Sequence, residues 1–409
     1  MFKTCTGVLV LLTATTSVAL SDGGSTGGEN TMPRMSIFFD GRFSSYDNDP
    51  EDYEITGAPL GGEAGLSDEG FSLEDTELVV SGNIDDLFFG RMTAGLHDDD
   101  GATEIELEEA FFETLGLPAG FTLKAGRFFS RLGYFNERHA HSWDFADAPL
   151  VYRALLGRQL INDGVQLSWT VPTPLFIQLG GELGRGDRFP GAADDGQGAY
   201  TLFARLGGDL NAHHHWQLAA AYWSADAEHR ESGGHGHDED EEDGESVLFT
   251  GDTDVTSVGA KWRWAPGGNP KSSHLALQVE YLQREEDGDI EIEGGDHGGE
   301  STAYDGDQSG WYAQAVYQFS PIWSAGLRYG ELDIENSGDE HEVLEEAGLD
   351  THDHTPKRSS VMVEYNYSTH SLVRLQYNED DSYEDADTQV FLQYVMHLGG
   401  HGGHRLNVR

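Results

Sequence analysis

Apolar and polar residues alternate along most of the chain in short segments of about ten residues. In the segment 275–282, Leu275 and Leu277 fall on one face, whereas Gln278 and Glu280 fall on the other. A period of two residues with one apolar and one polar face is typical of β-strands. Segments of this length that repeat through a chain are typical of transmembrane β-barrels, whose apolar face contacts lipid. The pattern therefore predicts an all-β fold, a transmembrane antiparallel β-barrel.

Sixteen segments carry this pattern, and short turns alternate with long loops between them. Outer-membrane barrels have short turns on the periplasmic side and long loops outside, so both ends of the barrel are expected in the periplasm. In 103–114, Glu109 has the same parity as Ile105 and Leu107, which requires either an acid that faces lipid or a β-bulge. The predicted strands are 35–43, 70–82, 86–97, 103–114, 120–129, 161–171, 174–184, 198–210, 214–226, 252–265, 273–286, 307–319, 321–333, 356–368, 371–380 and 387–398.

The segment 126–157 differs from the strands around it, because it combines many aromatic residues with arginines, acids and two histidines, His139 and His141. A segment this aromatic is too apolar for a solvated loop and is not expected to be disordered. A long loop inside a compact domain is usually functional. We predict that this third outer loop folds into the barrel and displays both histidines to the lumen.

The N-terminus is the only continuously apolar stretch. Lys3 precedes an apolar run at 7–14, and small residues surround Ala19, a pattern typical of a secretory signal peptide. We therefore expect a signal peptide at 1–19, a flexible periplasmic lead-in at 20–34, the barrel at 35–398 and a C-terminal tail at 399–409. The single cysteine, Cys5, falls in the signal peptide, so no disulfide is expected.

The formal net charge is -49 at pH 7, which excludes nucleic acid as a partner because binding it requires a basic surface. The acidity has three interpretations: adaptation to salt, bridging of lipopolysaccharide through divalent ions, or a mouth that concentrates cations. The expected partners are the lipid bilayer, lipopolysaccharide and small ions. The chain carries no phosphate-binding glycine loop, nucleophile elbow or zinc-protease motif, so we expect no enzymatic activity.

Two groups of residues are candidate metal ligands. In the inward loop, Glu137, His139, His141 and Asp144 offer the nitrogen and oxygen donors that suit Zn²⁺, Ni²⁺ or Cu²⁺; the alternative is that both histidines only form hydrogen bonds within a packed constriction. In the outer loops, paired histidines among acids are typical of divalent-metal traps, or alternatively of solvated charged segments. We expect no required cofactor and only transient binding of zinc or another divalent metal. The outer-loop candidates are His229, His235, His237, His352 and His354.

Basic residues fall on the polar parity of several strands and are candidates for lining the pore. Such a ladder opposite an acidic inward loop would set a transverse field across a constriction. The alternative is that these residues only neutralise lumen acids such as Glu182, Glu280 and Glu364. The ladder comprises Arg91, Arg205, Lys261, Arg263, Arg328 and Arg374.

Four motifs resemble those of a known family: LEEAFFET at 107–114, LKAGRF at 123–128, YFNERHAHSWDF at 134–145 and PLVYRA at 149–154. On these motifs the chain resembles porin-like outer-membrane barrels related to the phosphate-selective porins O and P. It is more similar still to proteins labelled zinc-regulated outer-membrane receptors. The resemblance implies the outer membrane of a Gram-negative bacterium, passage of a metal such as zinc, and the homotrimers common among such porins.

The chain departs from that pattern in two ways. The lead-in at 20–34 is much shorter than the plug of energised receptors, so passive passage is expected. The tail after 398 does not end on the aromatic residue common at the end of such barrels.

These features together predict an outer-membrane channel or receptor through which divalent metal passes a barrel without a plug. The outer-loop histidines would capture the metal and the inward loop would relay it, and capture should weaken below about pH 6 as histidine protonates. The alternative is a general or anion-selective porin whose acidic loops only bridge lipopolysaccharide. A closed structural or adhesive barrel would differ from both by showing no conductance.

Overall fold

The computed structural model describes residues 33–99, 102–193, 198–232, 246–294, 297–383 and 385–399. The predicted signal peptide, most of the lead-in and the tail after residue 399 lie outside the described residues. The strands are β1 (Arg34–Ser45), β2 (Gly70–Leu73), β3 (Thr76–Asn83), β4 (Phe88–Asp99), β5 (Ala102–Thr114), β6 (Phe121–Phe129), β7 (Ile161–Thr170), β8 (Phe176–Gly184), β9 (Ala199–Asn211), β10 (His214–Ser232), β11 (Ser246–Trp264), β12 (His274–Glu293), β13 (Ser301–Ser320), β14 (Trp323–Gly338), β15 (Lys357–Ser368), β16 (Ser371–Asp381) and β17 (Asp387–Gly399).

The strands form one closed antiparallel barrel. From β3 onward each strand pairs with the next, and β17 pairs with β1, which closes the sheet. Both β2 and β3 pair with β1, so they are two parts of one wall strand, and the barrel has sixteen strands. The predicted strand 70–82 covers both parts, and the prediction of a sixteen-stranded barrel is confirmed.

Five neighbouring strands, β10 to β14, extend further outward than predicted. β12, for example, reaches Glu293 rather than 286. The outward positions change there from apolar to acidic, which in the sequence looks like the start of a loop. The inward positions do not change, since Phe249 and Ile290 are buried and keep the period of two. One side of the barrel therefore stands beyond the membrane as a wall.

The outer face of this wall carries a row of four exposed aspartates, which lie directly opposite one another on β10 to β13. These are Asp226, Asp252, Asp287 and Asp305.

The core of the molecule lies inside the barrel. The loop 130–160 folds into the lumen, as predicted, and contains the helix α1 (Leu150–Leu156), every residue of which is buried. This helix ends at Gly157, which has a φ of 56° in the left-handed region that glycine adopts at little cost. The first outer loop also enters the lumen, where Tyr53 and Leu60 pack in the same apolar cluster as the helix. The two loops and the inner face of the barrel thus bury each other.

A second short helix, α2 (His341–Glu346), lies in the loop after β14 and buries Val343 and Leu344 against the inner side of the wall. In the described part of the chain, no helix has both the length and the apolarity needed to cross a bilayer.

Candidate metal centre in the barrel lumen

Two lumen carboxylates on the barrel strands anchor the inward loop by accepting hydrogen bonds from the loop backbone. Glu182 on β8 accepts hydrogen bonds from the Arg131 amide at 3.0 Å and from the Ser130 hydroxyl at 2.7 Å. Asn136 closes the base of the loop, because its side chain donates to the carbonyl oxygens of Ser130 and Leu160. The start of the loop is thus held in one position.

Glu280 on β12 is the second anchor. It accepts hydrogen bonds from the amides of Tyr134 at 2.5 Å and Phe135 at 3.2 Å. It also accepts from the hydroxyls of Tyr152 at 2.9 Å and Tyr312 at 2.5 Å. The carboxylate is fully buried, and these hydrogen bonds satisfy polar groups that cannot reach water.

Asp147 anchors a later part of the loop to the strands β14 to β16. It pairs with Arg328 on β14 and with Arg358 on β15, the latter at 3.0 Å. It also accepts from Gln376 at 2.6 Å and from Asn378 at 3.1 Å. With both sides fixed, the segment that carries His139 and His141 has little freedom to move.

A β-bulge on β5 places two further acids beside these histidines. Thr93 of β4 lies opposite Glu109, but the next residue, Ala94, lies opposite Leu107, so Glu108 is an extra residue in the ladder. A bulge re-aims side chains, and both Glu108 and Glu109 are buried in the lumen. The structure therefore decides the alternative left open by the sequence, since Glu109 does not face lipid.

His139 lies among three of these strand carboxylates. Its Nδ1 atom is 3.1 Å from Glu108 Oε2 and 3.1 Å from Glu77 Oε2, and its Nε2 atom is 2.8 Å from Glu109 Oε2. Ligand atoms of Glu77, Glu108 and His139 lie within 4.8 Å of one another. Glu77 is fully buried, and its Oε2 atom faces the His139 ring. The three groups therefore form a candidate metal centre with one nitrogen and two oxygen donors.

The residues around this centre hold its ligands in the orientation that a metal requires. When Nε2 of His139 carries the proton, it donates to Glu109 and leaves Nδ1 free to bind a metal, as in carboxylate–histidine–metal arrangements. Arg91 holds Glu109 in turn, at 3.1 Å. His141 Nδ1 lies 2.8 Å from Glu77 Oε1 and so orients the second ligand.

Electrostatics favours a proton on His139 when no metal is present. Burial alone would lower the pKa of His139, but the carboxylates of Glu77 and Glu109 raise it well above its usual value. Because a metal binds only the neutral imidazole, metal binding at this site would release a proton.

An acidic cavity of about 370 Å³ leads to this centre from the outer side. Glu77 and Glu108 form its inner end, and Glu63, Asp75 and Glu106 lie nearer the outer loops. A cation in the cavity would meet carboxylates along its length.

Two arginines in the cavity partly compensate that charge. Arg158 pairs with Glu63 at 2.9 Å and with Asp75, and Arg188 pairs with Glu106 at 2.8 Å. The glutamates at the inner end are not among the partners of these two arginines.

The predicted carboxylate partners of the two histidines lie in other ion pairs. Glu137 pairs with Arg131 at 3.4 Å and with Arg205. Asp144 pairs with Arg138 at 3.3 Å and accepts a hydrogen bond from the Gln314 side chain. The structure thus brings His139 and His141 together, as predicted, but with strand acids rather than with Glu137 and Asp144.

The outer-loop candidates are dispersed. His229 contacts Thr250, His352 lies 3.8 Å from Asp350, and His354 contacts the Asp381 carbonyl. In the described ranges, these three histidines do not join two further ligand atoms within coordinating distance. His235 and His237 lie outside the described residues.

The predicted basic ladder is largely neutralised by neighbouring acids. Arg91 pairs with Glu109, Arg205 with Glu137, Arg328 with Asp147, and Arg374 with Glu364 at 2.8 Å. Lys261 lies over the Tyr134 ring, 4.3 Å from its centroid, and Arg263 lies opposite His215 near the periplasmic end. These contacts favour the interpretation that the basic residues balance lumen acids.

Sequence reasoning missed Glu77, Glu108 and Glu109 as partners of His139. A signal existed for the pair on β5, since the parity conflict at Glu109 marked a bulge that could turn both acids inward. Glu77 had no such signal, because its position in a regular strand is the same as that of any lumen-facing acid.

The closed barrel and its inward loop are the architecture of Gram-negative outer-membrane proteins, and the chain is an outer-membrane β-barrel. No family model matches the sequence. A protein of Aquifex aeolicus (strain VF5) described as uncharacterised is 28% identical over 359 residues, which cover 82% of this chain and 70% of that protein.

Solved structures of outer-membrane proteins share the fold at low sequence identity. The trimer form of in-vitro folded OmpT of Vibrio cholerae is 8% identical with a TM-score of 0.53, covering 90% of this chain and 99% of that one. The outer-membrane channel DcaP of Acinetobacter baumannii is 11% identical with a TM-score of 0.52, covering 90% and 96%. An anion-selective porin from Comamonas acidovorans is 10% identical with a TM-score of 0.50, covering 89% and 98%.

Proposed function

We propose that this protein is an outer-membrane channel that passes divalent metal of the zinc type by way of the centre in its lumen. The observation that carries the proposal is the group formed by Glu77, Glu108 and His139 at the inner end of an acidic cavity. Two buried carboxylates facing one imidazole suit a borderline cation such as Zn²⁺. Buried acids without a cation are costly, so a metal would stabilise the site as it passes.

In this proposal the acidic mouth concentrates cations, and the outer-loop histidines retain them briefly. A loop loses entropy when it becomes ordered around a metal, so the affinity of the outer-loop histidines for the metal is modest. The metal then enters the cavity and exchanges water for the Glu77, Glu108 and His139 ligands. The resident proton of His139 leaves as the metal binds. No cofactor and no enzymatic step is part of the proposal.

Two further expectations belong to the same proposal. The barrel assembles as a homotrimer, which is supported by the trimer form of the Vibrio cholerae protein with the same fold; cross-linking in native membranes would test it. Lipopolysaccharide contacts the acidic outer surface through divalent ions, and removal of these ions with a chelator should then release it.

The test is single-channel recording in planar bilayers with micromolar zinc added on the side of the long loops. Zinc should block or modulate the current of the native channel. Either His139→Ala or Glu77→Gln should raise the half-blocking concentration by about tenfold or more. Glu113→Gln, on the same strand as Glu108, is the matched control and should leave zinc block unchanged. If zinc block is identical in all four proteins, no metal passes through this centre.

A porin that prefers anions is the second candidate, and a specific observation favours it. The side chains of Arg131 and Arg138 remain about one quarter exposed in the lumen, at 22% and 25%, and the Comamonas acidovorans protein of the same fold is anion-selective. Reversal potentials in a salt gradient discriminate the two. An anion preference that zinc does not change would support this second function and reject the first.

A further inference from the structure

A row of lumen-facing residues runs from the candidate metal centre to the periplasmic rim. Phe38 on β1 lies opposite Glu77 on β3 and, on its other side, opposite His397 on β17. The next position in this row is His370, in the turn before β16, because its carbonyl accepts a hydrogen bond from the His397 amide at 2.8 Å. Barrel strands tilt by about 35–45°, so a row of paired residues descends around the wall.

The rings along this row are in contact. His141, which orients Glu77, stacks on Phe38 with ring centroids 3.7 Å apart and planes within 9°. Phe38 also stacks on His397 at 4.6 Å and 11°. The rings of His397 and His370 lie 5.7 Å apart with a tilt of 32°. The imidazoles of His141 and His397 thus stack on either side of Phe38, with the metal centre on the outer side and the rim on the periplasmic side.

We propose that His370 and His397 form a second metal site, which receives the ion on the periplasmic side after it leaves the lumen centre. The inference rests on the proposed function for its direction of transfer, but not for its ligands. Two imidazoles whose centroids are 5.7 Å apart can both reach one ion at Zn–N distances of about 2.0–2.1 Å. His397 is buried and fixed by Phe38, whereas His370 lies at the rim, where an ion can leave.

The ligand type determines which metals can use this site. Two neutral imidazoles suit Zn²⁺, Cu²⁺ or Ni²⁺, whereas Mg²⁺ and Ca²⁺ require oxygen ligands. The lumen centre, with its two carboxylates, is less selective. A site with imidazoles alone at the exit would therefore favour borderline transition metals over the abundant hard cations.

The experiment uses the full-length channel in planar bilayers, with zinc added only on the side of the short turns. The native protein should show zinc modulation from this side, and His370→Ala should raise the half-modulating concentration by about tenfold. His215→Ala is the matched control, since His215 lies at the same rim but pairs with Asp209. Magnesium at the same concentration should have no effect. If His370→Ala and His215→Ala behave alike, the second site is rejected.

A pair of cysteines tests the geometry without imidazole. His370→Cys combined with His397→Cys should bind Cd²⁺ from the periplasmic side far more tightly than either single variant, because two thiolates can then share the ion. A double variant that is no more sensitive than the singles would overturn the proposal. Zinc added on the outer side acts through His139 in all these proteins. If zinc on the periplasmic side has no effect on the native channel, the second site alone is rejected. If zinc on the outer side has no effect on the native channel, the proposed function is rejected.

Discussion

The Glu280→Ala substitution should detach the inward loop from the wall. In the native barrel this carboxylate accepts from the amides of Tyr134 and Phe135 and from the hydroxyls of Tyr152 and Tyr312. Alanine leaves three of these donors without an acceptor in a buried place, since the Tyr152 hydroxyl also lies 3.4 Å from the Leu132 carbonyl oxygen. Each unpaired buried donor costs about 1–3 kcal/mol. Even at the lower value of about 1 kcal/mol each, the free energy of unfolding falls by about 3 kcal/mol.

Two measurements should change together if this reasoning holds. Urea unfolding in lipid vesicles reports the free energy, and single-channel recording reports whether the loop still narrows the lumen. We expect lower stability and a higher, noisier conductance for Glu280→Ala. Glu280→Gln should be intermediate, because its carbonyl oxygen can still accept from some of the donors.

The control is Glu331→Gln, which removes a carboxylate on β14 that accepts from the nearby Tyr329 hydroxyl and does not contact the loop. It should leave both measurements close to native. If Glu280→Ala has native stability and native conductance, the loop is held by apolar packing and not by this carboxylate.

Three further outcomes are expected. Arg158→Gln removes the guanidinium that compensates the acidic cavity, so zinc added outside should block about tenfold faster, whereas Arg185→Gln in an exposed pair with Asp187 should not change the rate. Burial raises the pKa of Asp147, but neighbouring arginines hold it well below its usual range. The ionised Asp147 therefore stabilises the folded barrel fully above about pH 3.9, and this stabilisation is lost only as pH falls through the depressed pKa. Conductance should thus be equal at pH 7 and pH 4.5, and Asp147→Asn should disturb it at both. Because the pKa of His139 is raised, zinc must displace a proton even above about pH 6.5. The affinity for zinc, measured by chelator competition, should therefore keep rising between pH 6.5 and pH 8. A plateau across that range would contradict a proton on His139.

The sequence predicted the barrel well because a strand that crosses lipid must alternate apolar and polar residues. Each residue is forced by the period of two to face either lipid or lumen, and turns are marked by the loss of that alternation. The prediction was wrong only at the outer ends of β10 to β14, where the outward face is acidic because it no longer meets lipid. Inward residues such as Phe249 and Ile290 kept the pattern there.

The site was only partly predictable. The two histidines of the inward loop stood out, since a polar pair within an aromatic segment is unusual. Their partners could not be found from spacing along the chain, because Glu77 lies 62 residues before His139 and meets it only when the loop folds back. The nearer acids, Glu137 and Asp144, were the obvious choice but have arginine partners.

The wall formed by the extended strands has a consequence for how the protein must be handled. Its four aspartates lie directly opposite one another across neighbouring strands, and like charges in that position repel. Within the Debye length of about 10 Å at 0.1 M salt this repulsion is only partly screened. In dilute buffer the part of the sheet above the bilayer should therefore fray while the lipid-embedded part stays closed. Ionic strength during purification would then set how much of the extracellular rim keeps its native shape.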